Sequence, residues 1–422
     1  MVSLRRMALL GAGVLALAGC WPVPGQNADR TADNPFETGL TPATVGDLAQ
    51  AWDVVTAPGR FVSDPVVSGA GVHVVVDACA VATLRPRDGA TVWVRTLANF
   101  FLCMPGDQTA YIISYTPPYV VGDRVLYGYR ARRAVNRPPI DPGGGTIVST
   151  DLASGADAAG PKPAAEYMSG VRGDTLLGSS DRLLTFGTPL PAVFFAYNGD
   201  ISLASLSGAT PARTFSTPGG GAPVLGASAV FQAGDTAVAA YDVDESHPGC
   251  GDDGSLECPL WETAIDGAGT DPVLAPGGDS VVFVGTAAGT VYALDAGTGA
   301  VQWSTPVGAA VSAPPALSGG VLYVPTSDGH LVALAAADGA EQWRAATDGG
   351  LFVQPAVAGG VVYTGSQSGN VEAFAAAGCG AATCPALWSA GAGAAITGAP
   401  AVASGSLYVG TADGHVVAYR RP

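Results

Sequence analysis

The chain has 422 residues, of which only 13% are charged, and it carries a net charge of −16 with 59 glycines and 32 prolines. Its only lysine is Lys162, so we expect no cationic surface of the kind that binds nucleic acid or anionic lipid. Many glycines and prolines with few charges favour short strands joined by tight turns over exposed helices.

The first element is a leader over residues 1–19, with two arginines, no acid and an apolar run too short to span a bilayer permanently. It ends Leu17-Ala18-Gly19-Cys20, which resembles the lipobox of bacterial lipoproteins. We therefore expect cleavage before Cys20, and two acyl chains there that tether the protein to the outer face of the cytoplasmic membrane. The net charge of −16 would then become −18. An ordinary signal peptide with a chance cysteine stays open as the alternative.

Residues 20–45 are rich in proline, glycine and polar residues without periodicity, which predicts a flexible tether. Residues 46–422 then repeat a unit of about forty residues. The clearest copies run from Val291 to Trp303 and from Leu331 to Trp343. Each copy reads as strand, glycine turn, strand, and four such strands make one propeller blade.

The repeat predicts an all-β, eight-bladed β-propeller. A tryptophan recurs on the outer strand, and we expect it to pack between adjacent blades. The last repeat lacks its fourth strand, and Trp52 lies on an unpaired strand near the start, so we expect the N- and C-terminal strands to pair and close the ring. Seven blades is the alternative. The tryptophans of the repeat are Trp52, Trp93, Trp261, Trp303, Trp343 and Trp388.

Without Cys20 the chain has six cysteines, an even number that suggests three disulfides in an exported protein. Proximity pairs Cys250 with Cys258 and Cys379 with Cys384, which leaves Cys79 for Cys103. The alternative is a metal site, which would require a closer cysteine spacing or neighbouring histidines; neither is present, so we expect no metal.

The unit from Val291 to Trp303 resembles the repeat of pyrroloquinoline quinone (PQQ) propellers, and Thr41 to Trp52 resembles the lead-in to their first strand. This resemblance implies the fold more than the function, because enzymes, assembly factors and sensors share the repeat. Enzymes of the family oxidise alcohols or sugars with PQQ and calcium on the propeller axis. This chain lacks their adjacent cysteines and any haem motif, so we expect no cofactor and assign no catalytic residue. A lipoprotein propeller of the outer-membrane β-barrel assembly machinery is similar in anchor, blade count and length.

Residues 97–217 lose the repeat and carry aromatic and arginine residues that we expect on loops, where binding surfaces are found. Drift of two blades is the alternative reading. The candidate partner-binding residues are Arg130, Arg132, Arg133, Arg137, Tyr115 and Tyr119.

Three further features favour ordinary structural roles. The acidic loop that begins at Asp242 lacks the glycine of a calcium-binding loop and is interpreted as solvated. His330 and His415 occupy one repeat position that also accepts other polar residues, which does not indicate a ligand set, and His73 lies alone in a strand.

Together these patterns predict a non-catalytic, membrane-tethered scaffold for a protein or cell-envelope partner. A divergent PQQ-dependent oxidoreductase is the alternative, and nothing in the sequence indicates a small-ligand sensor.

Overall fold

The computed structural model describes the chain from Cys20 onward with gaps, and for part of blades 2 and 3 it describes only the backbone. The described residues are 20–56, 62–76, 80–96, 111–115, 117–133, 146–156, 168–172, 175–179, 201–205, 211–215, 222–242, 259–277 and 280–422.

The described residues form eight separate sheets, the number that the sequence analysis predicts. A single 3-10 turn, Val45–Asp47, is the only helical element in this part of the chain. The all-β propeller class is confirmed. Two strands precede the first complete sheet: β1 (Asp33–Asn34) and β2 (Ala49–Val55).

Four sheets make up the first half of the ring. Blade 1 is β3 (Val66–Ser68), β4 (Gly71–Val76), β5 (Ala80–Leu84) and β6 (Thr91–Thr96). Blade 2 is β7 (Tyr111–Tyr115), β8 (Tyr119–Val121), β9 (Arg124–Arg133) and β10 (Thr146–Asp151). Blade 3 is β11 (Met168–Arg172), β12 (Thr175–Ser179), β13 (Ile201–Ser205) and β14 (Pro211–Phe215). Blade 4 is β15 (Val224–Leu225), β16 (Ala229–Ala233), β17 (Ala237–Asp242) and β18 (Trp261–Ala264).

The other four sheets follow the repeat closely. Blade 5 is β19 (Val273–Leu274), β20 (Val281–Gly285), β21 (Thr290–Asp295) and β22 (Val301–Pro306). Blade 6 is β23 (Ala316–Ser318), β24 (Val321–Pro325), β25 (His330–Ala335) and β26 (Glu341–Ala346). Blade 7 is β27 (Ala356–Ala358), β28 (Val361–Gly365), β29 (Asn370–Ala375) and β30 (Trp388–Gly391). Blade 8 is β31 (Ala401–Ala403), β32 (Ser406–Gly410) and β33 (His415–Arg420), completed by β2.

Blade 8 is built from both ends of the described chain. Strand β2 pairs antiparallel with β33, with Ala49 opposite Arg420 and Val55 opposite His415. This is the pairing that the orphan Trp52 strand predicts. It covers the outer edge of β33, which would otherwise present unpaired backbone groups to other chains.

Each of the six repeat tryptophans bridges its blade to the next one. The indole Nε1–H donates to a backbone carbonyl that, in five of the six cases, lies one or two residues after the third strand of the neighbouring blade. Trp388 instead donates to Leu48, because blade 8 takes its outer strand from the other end of the chain. The donor and acceptor pairs are Trp52 to Pro86 (2.9 Å), Trp93 to Leu152 (3.2 Å), Trp261 to Ala296 (2.9 Å), Trp303 to Ala336 (3.0 Å), Trp343 to Ala376 (3.3 Å) and Trp388 to Leu48 (2.9 Å).

A glycine at the turn of the neighbouring blade makes room for the indole ring of every repeat tryptophan except Trp388. Gly339 has φ +72°, and a Cβ atom there would lie 2.5 Å from the ring of Trp303. Gly299 repeats this against Trp261, with φ +72° and the same 2.5 Å. Because only glycine combines positive φ with so little volume, the glycine and the tryptophan form one interlocked unit of the repeat.

Blade 2 departs from this pattern. Strands β7 and β8 both pair with the same edge of β9, and β10 pairs with the other edge, so the described residues contain no fourth, outer strand there. Strand β9 extends beyond β10, because β10 pairs only with residues 124–129. The long hairpin of β7 to β9 therefore continues past the end of the blade, within the region where the repeat decays in the sequence.

Cys379 and Cys384 form a disulfide in the turn before β30. The other two expected pairs, Cys79 with Cys103 and Cys250 with Cys258, lie outside the described residues. Within the described part of the chain, no helix is long and apolar enough to cross a membrane.

Candidate functional site: the axis of the ring

The first strand of each blade faces the axis of the ring, where one of its edges has no partner within its own sheet. Residues 21–34 supply partners for many of these edges. Val67, in blade 1, exchanges two backbone hydrogen bonds with Trp21 at 2.7 and 2.8 Å. Four first strands elsewhere donate a backbone N–H to the segment: Val120 to Pro22 (2.8 Å), Leu274 to Asp29 (2.9 Å), Leu317 to Thr31 (2.8 Å) and Val357 to Ala32 (2.7 Å).

This segment, which we call the axial segment (residues 21–34), is ordered, whereas the sequence analysis predicts a flexible tether over 20–45. Trp21 and Ala32 are buried, and Asn34 is fully buried with its side-chain amide donating to the carbonyl of Val402 at 2.9 Å. Further along, Leu40 is also buried. The prediction is wrong because a polar, aperiodic stretch is also what a chain requires to satisfy many unpaired strand edges at once.

The axial segment enters and leaves at the same end of the ring. Trp21 pairs antiparallel with Val67, and β1 pairs parallel with β27, so the chain first runs against the first strands and then along them. We call the end where the first strands finish, at turns such as Gly359-Gly360, the lower end, and the end where they begin the upper end. Glu37 fixes the exit, since its carboxylate accepts the N–H of Gly405, in the blade 8 turn, at 2.8 Å.

A tight turn reverses the axial segment inside the ring. Gln26, Arg30 and Ala32 have φ values of 70°, 58° and 53°, which non-glycine residues rarely adopt. Asn27 organises the turn, because its side-chain oxygen accepts the backbone N–H groups of Asp29 (3.1 Å) and Thr31 (3.2 Å). Backbone strain of this kind persists only where the surroundings impose it, as the first strands do here.

The turn directs Arg30 towards the upper end. Its guanidinium lies 3.2 Å from the Asp271 carboxylate and donates to the carbonyl of Ala222 at 3.0 Å. The Ala222 N–H donates in turn to Asp271 at 2.7 Å. The Arg30 side chain is 12% exposed and that of Asp271 is 33% exposed. A charged pair that links the axial segment to blades 4 and 5 therefore lies inside the ring.

Asp64 and Tyr119 complete this cluster. Asp64 accepts the N–H of Ala399 at 2.8 Å. Burial raises its pKa to about 6, the Ala399 N–H lowers it, and the nearby Asp271 carboxylate raises it further. Burial likewise raises the pKa of Tyr119 to about 12, opposed by the positive charge of Arg30. The pKa of Asp271 is also raised by burial, although the neighbouring Arg30 opposes the shift.

An amide borders the same cluster. The Gln354 side-chain nitrogen donates to the carbonyl of Arg30 at 2.9 Å and to that of Pro315 at 3.0 Å. The upper part of the axis thus combines two carboxylates, one guanidinium, one phenol and one amide. Such a set can bind a cation or hold a proton between its carboxylates, but both Asp271 and Asp64 already accept hydrogen bonds from the protein.

The sequence analysis missed this cluster, although a signal exists. Asp64 and Asp271 occupy the same repeat position, directly before the proline that leads into a first strand. Propeller symmetry brings equivalent positions of all blades to one axis, so acids there must converge. Other blades carry residues without charge at this position: Ala222, Pro314, Gln354 and Ala399.

The candidate partner-binding residues are only partly described. Tyr119 is 5% exposed and belongs to the axial cluster, not to a surface loop, because it begins β8. Tyr115 lies in β7, and β9 contains the three arginines Arg130, Arg132 and Arg133, paired with residues 111–114 at the upper end; their side chains are outside the description. Arg137 lies outside the described residues, as does most of the acidic loop after Asp242.

The histidines occupy structural positions. His73 is fully buried between the hydroxyls of Ser68 and Thr83, each at 2.7 Å, and burial lowers its pKa to about 4. His415 contacts Asp53 at 2.6 Å and His330 contacts Asp328 at 3.1 Å. The described residues hold no cluster of three or more metal-ligating side chains. Cys20 is half-buried next to Trp21.

With this geometry established, the comparisons with known proteins identify the fold. Residues 258–379 match the PQQ_2 family, described as outer membrane protein assembly factor BamB. The protein has the PQQ-like β-propeller fold. No curated protein matches the chain.

Solved structures of two kinds resemble this PQQ-like propeller. Quinohemoprotein alcohol dehydrogenase from Comamonas testosteroni is 13% identical, with a TM-score of 0.68 over 96% of this chain and 82% of its own. A europium-containing methanol dehydrogenase is 12% identical, with a TM-score of 0.67 over 96% of this chain and 98% of its own. BamB from Moraxella catarrhalis is 16% identical, with a TM-score of 0.58 over 88% and 97%. At these identities the likeness shows the fold alone.

Proposed function

We propose that the protein is a non-catalytic, lipid-anchored extracytoplasmic scaffold whose axis is closed by its own N-terminal segment. The observation that carries the proposal is the set of backbone hydrogen bonds between residues 21–32 and five first strands. A BamB-like family match and the lipobox-like sequence ending at Cys20 support the extracytoplasmic, anchored setting.

The axis of this chain does not fit PQQ and calcium. In the enzymes that it resembles, both lie on the propeller axis. Here Arg30 lies beside Asp271, where a calcium ion would require the carboxylate for itself. The Ala222 N–H engages the same carboxylate, and the axial segment fills the ring beneath it. A planar cofactor would have to displace these contacts, so we derive no catalytic step from it.

The second candidate, a divergent quinoprotein oxidoreductase, is favoured by one specific observation. Two acids, an amide and a guanidinium converge at the upper end: Asp64, Asp271, Gln354 and Arg30. Displacement of the axial segment would free these groups for a ligand. The resemblance to alcohol and methanol dehydrogenases is compatible with this candidate.

Calorimetric titration of PQQ with calcium into the mature protein separates the two. A scaffold gives no saturable heat at protein concentrations of tens of micromolar. Saturable binding at one per chain that disappears in Asp64→Asn/Asp271→Asn overturns the proposal and supports the oxidoreductase. The double variant retains the size of both side chains, so its unfolding midpoint serves as the folding control.

We propose that the partner binds at the upper end, next to the long hairpin of β7 to β9. The test is cross-linking capture from the native envelope with Arg130→Ala/Arg132→Ala/Arg133→Ala, which we expect to lose most of the captured partner. A charge-matched control is the triple alanine variant of Arg87, Arg420 and Arg421, which lie at the lower end. Equal capture by both variants would show that the partner does not bind at the hairpin.

A further inference from the structure

A basic cleft opens at the lower end, between blades 8 and 1. Its volume is about 470 Å³. It lies where the first turn of blade 8 meets the last turn of blade 1 and the end of β33. The lining residues are Gly39, Pro86, Arg87, Ser404, Gly405, Ser406, Tyr408, Arg420 and Arg421. Three arginines and no acid therefore line a cleft on a protein whose net charge is −16.

The acids near the cleft are already engaged. Asp88 pairs with Arg85 at 3.1 Å, and Asp47 pairs with Arg421 at 3.5 Å. Glu37 is buried, and its carboxylate accepts the N–H groups of Gly39 at 2.6 Å and Gly405 at 2.8 Å. Among the described residues, neither Arg87 nor Arg420 forms an ion pair, so the cleft has an excess of positive charge.

The expected lipid anchor lies at the same end of the ring. Strand β3 runs towards its turn at the lower end, and Trp21 pairs with it in the antiparallel sense. Cys20 precedes Trp21 and is therefore displaced towards that end. Because the axial segment is fixed by its hydrogen bonds, acyl chains on Cys20 would leave the ring through the lower end, with no long tether to reorient the domain.

Other acids of the lower end limit the contact to one sector. Asp151 and Asp295 end the third strands of blades 2 and 5, and Asp338 lies in the turn after the third strand of blade 6. Each accepts hydrogen bonds within its own turn, from Ser154, Thr298 and Ala340 respectively. They repel an anionic surface, so the basic sector of blades 8 and 1 would approach it first.

We propose that this cleft binds the phosphate of an anionic phospholipid headgroup in the membrane that holds the anchor, so that the lower end faces the membrane. Guanidinium groups suit this role because their planar donors match phosphate oxygens in pairs. The orientation rests on the proposed lipid anchor, whereas headgroup binding by the cleft does not. The upper end, with the axial cluster and the long hairpin, would then face away from the membrane. The sequence analysis expects no cationic surface that binds anionic lipid. The proposal departs from that expectation at this cleft alone.

Vesicle co-sedimentation tests the cleft without the anchor. The chain from residue 20 onward, with Cys20→Ser, is mixed with vesicles of phosphatidylcholine alone or with phosphatidylglycerol added. We expect binding only when phosphatidylglycerol is present. The Arg87→Ala/Arg420→Ala/Arg421→Ala variant should bind about a hundredfold more weakly, since each arginine near an anionic surface contributes about fivefold. Saturable binding of inorganic phosphate in solution, without binding to the phosphatidylglycerol vesicles, would indicate that phosphate alone is recognised and would overturn the choice of a lipid.

The charge-matched control is Arg130→Ala/Arg132→Ala/Arg133→Ala, with the same change in net charge at the upper end. Unchanged binding of this control supports the cleft, and an equal loss in both triple variants would overturn it as a mere net-charge effect. Unfolding midpoints within one or two degrees of each other exclude misfolding. Mass spectrometry of Cys20 in the native protein tests the anchor separately, so the two proposals can fail independently.

Discussion

The rim and the axis of the ring both join neighbouring blades, but they do so in different ways. At the rim, one tryptophan and one glycine repeat the same contact at five of the interfaces, as with Trp303 and Gly339. At the axis, a single non-repeating segment contacts first strands of blades 1, 2, 5, 6, 7 and 8. The rim is therefore visible in the sequence as a period, whereas the axis depends on residues that occur once. The following predictions compare the two regions.

The largest effect is expected at the rim. Trp343 is 3% exposed and donates to Ala376 at 3.3 Å. Trp343→Ala should lower the free energy of unfolding by about 3–5 kcal/mol, because it leaves a cavity between blades 6 and 7. Urea unfolding measures this. Trp343→Phe is the control, since it retains most of the apolar volume and should cost clearly less. A cost below about 1 kcal/mol for the alanine variant would contradict the rim as the main inter-blade contact.

A matched pair of glycines separates steric fit from backbone conformation. Gly339 and Gly319 both have positive φ, +72° and +57°, but only Gly339 faces an indole ring, while nothing lies within 4 Å of a Cβ at Gly319. Gly319→Ala should cost about 1 kcal/mol from backbone strain alone. Gly339→Ala should cost about 3 kcal/mol, because the ring of Trp303 must also move. Equal costs in urea unfolding would show that the rim does not depend on this close fit.

At the axis, Arg30→Ala tests the ion pair with Asp271. The loss should be about 2 kcal/mol, less than for a fully buried pair because Asp271 is 33% exposed. The same variant should make the axial segment more sensitive to limited proteolysis. Asp271→Asn in the Arg30→Ala background should restore part of the loss, since it removes the uncompensated charge. An additive double variant would indicate that the two side chains do not interact.

The smallest effect is a pH dependence. The pKa of Asp64 is raised to about 6 in the folded protein, so its stabilising contribution is complete below its unfolded value and is lost as the pH rises through about 6. His73 acts in the opposite direction, because its pKa is lowered to about 4 and its contribution is lost as the pH falls towards that value. The Asp64 effect is therefore measured as the difference in the free energy of unfolding between the wild type and Asp64→Asn at each pH.

Between pH 4 and pH 7, the stability of the wild type relative to Asp64→Asn should fall by on the order of 1 kcal/mol. Urea unfolding at several pH values gives both curves, and His73 contributes equally to each. Parallel curves would mean that Asp64 titrates in the folded protein as it does in the unfolded chain.

The sequence predicted the all-β propeller, the strand pairing at Trp52 and the Cys379–Cys384 disulfide because each depends on a local or periodic pattern. It did not predict the axial segment. The hydrogen bonds of Pro22, Asp29, Thr31 and Ala32 use backbone atoms, which any residue provides, and so leave no trace in residue type. Asp64 and Asp271 could have been found, because aspartate before the same proline in two blades predicts convergence on the axis.

Blades 2 and 3 illustrate the other limit. Loss of the tryptophan repeat over residues 97–217 correctly marks a change in architecture, since β7 and β8 share one edge of β9. The composition alone suggested that Tyr119 lies on an exposed loop, but the residue starts a first strand and turns to the axis. Aromatic residues occur both on exposed binding loops and in strands that face the axis, and only the strand register distinguishes the two positions.

Hydrogen–deuterium exchange of the axial segment tests the central claim most directly. The account predicts slow exchange for the amide of Trp21, which donates to Val67, and for that of Ala32, which donates to Gly25 inside the segment. Both should exchange as slowly as the amides of the first-strand residues Val67 and Val357. Complete exchange of residues 20–45 within seconds, while the inner strands remain protected, would contradict it. The segment would then be a flexible tether, and the axis would be open to a ligand.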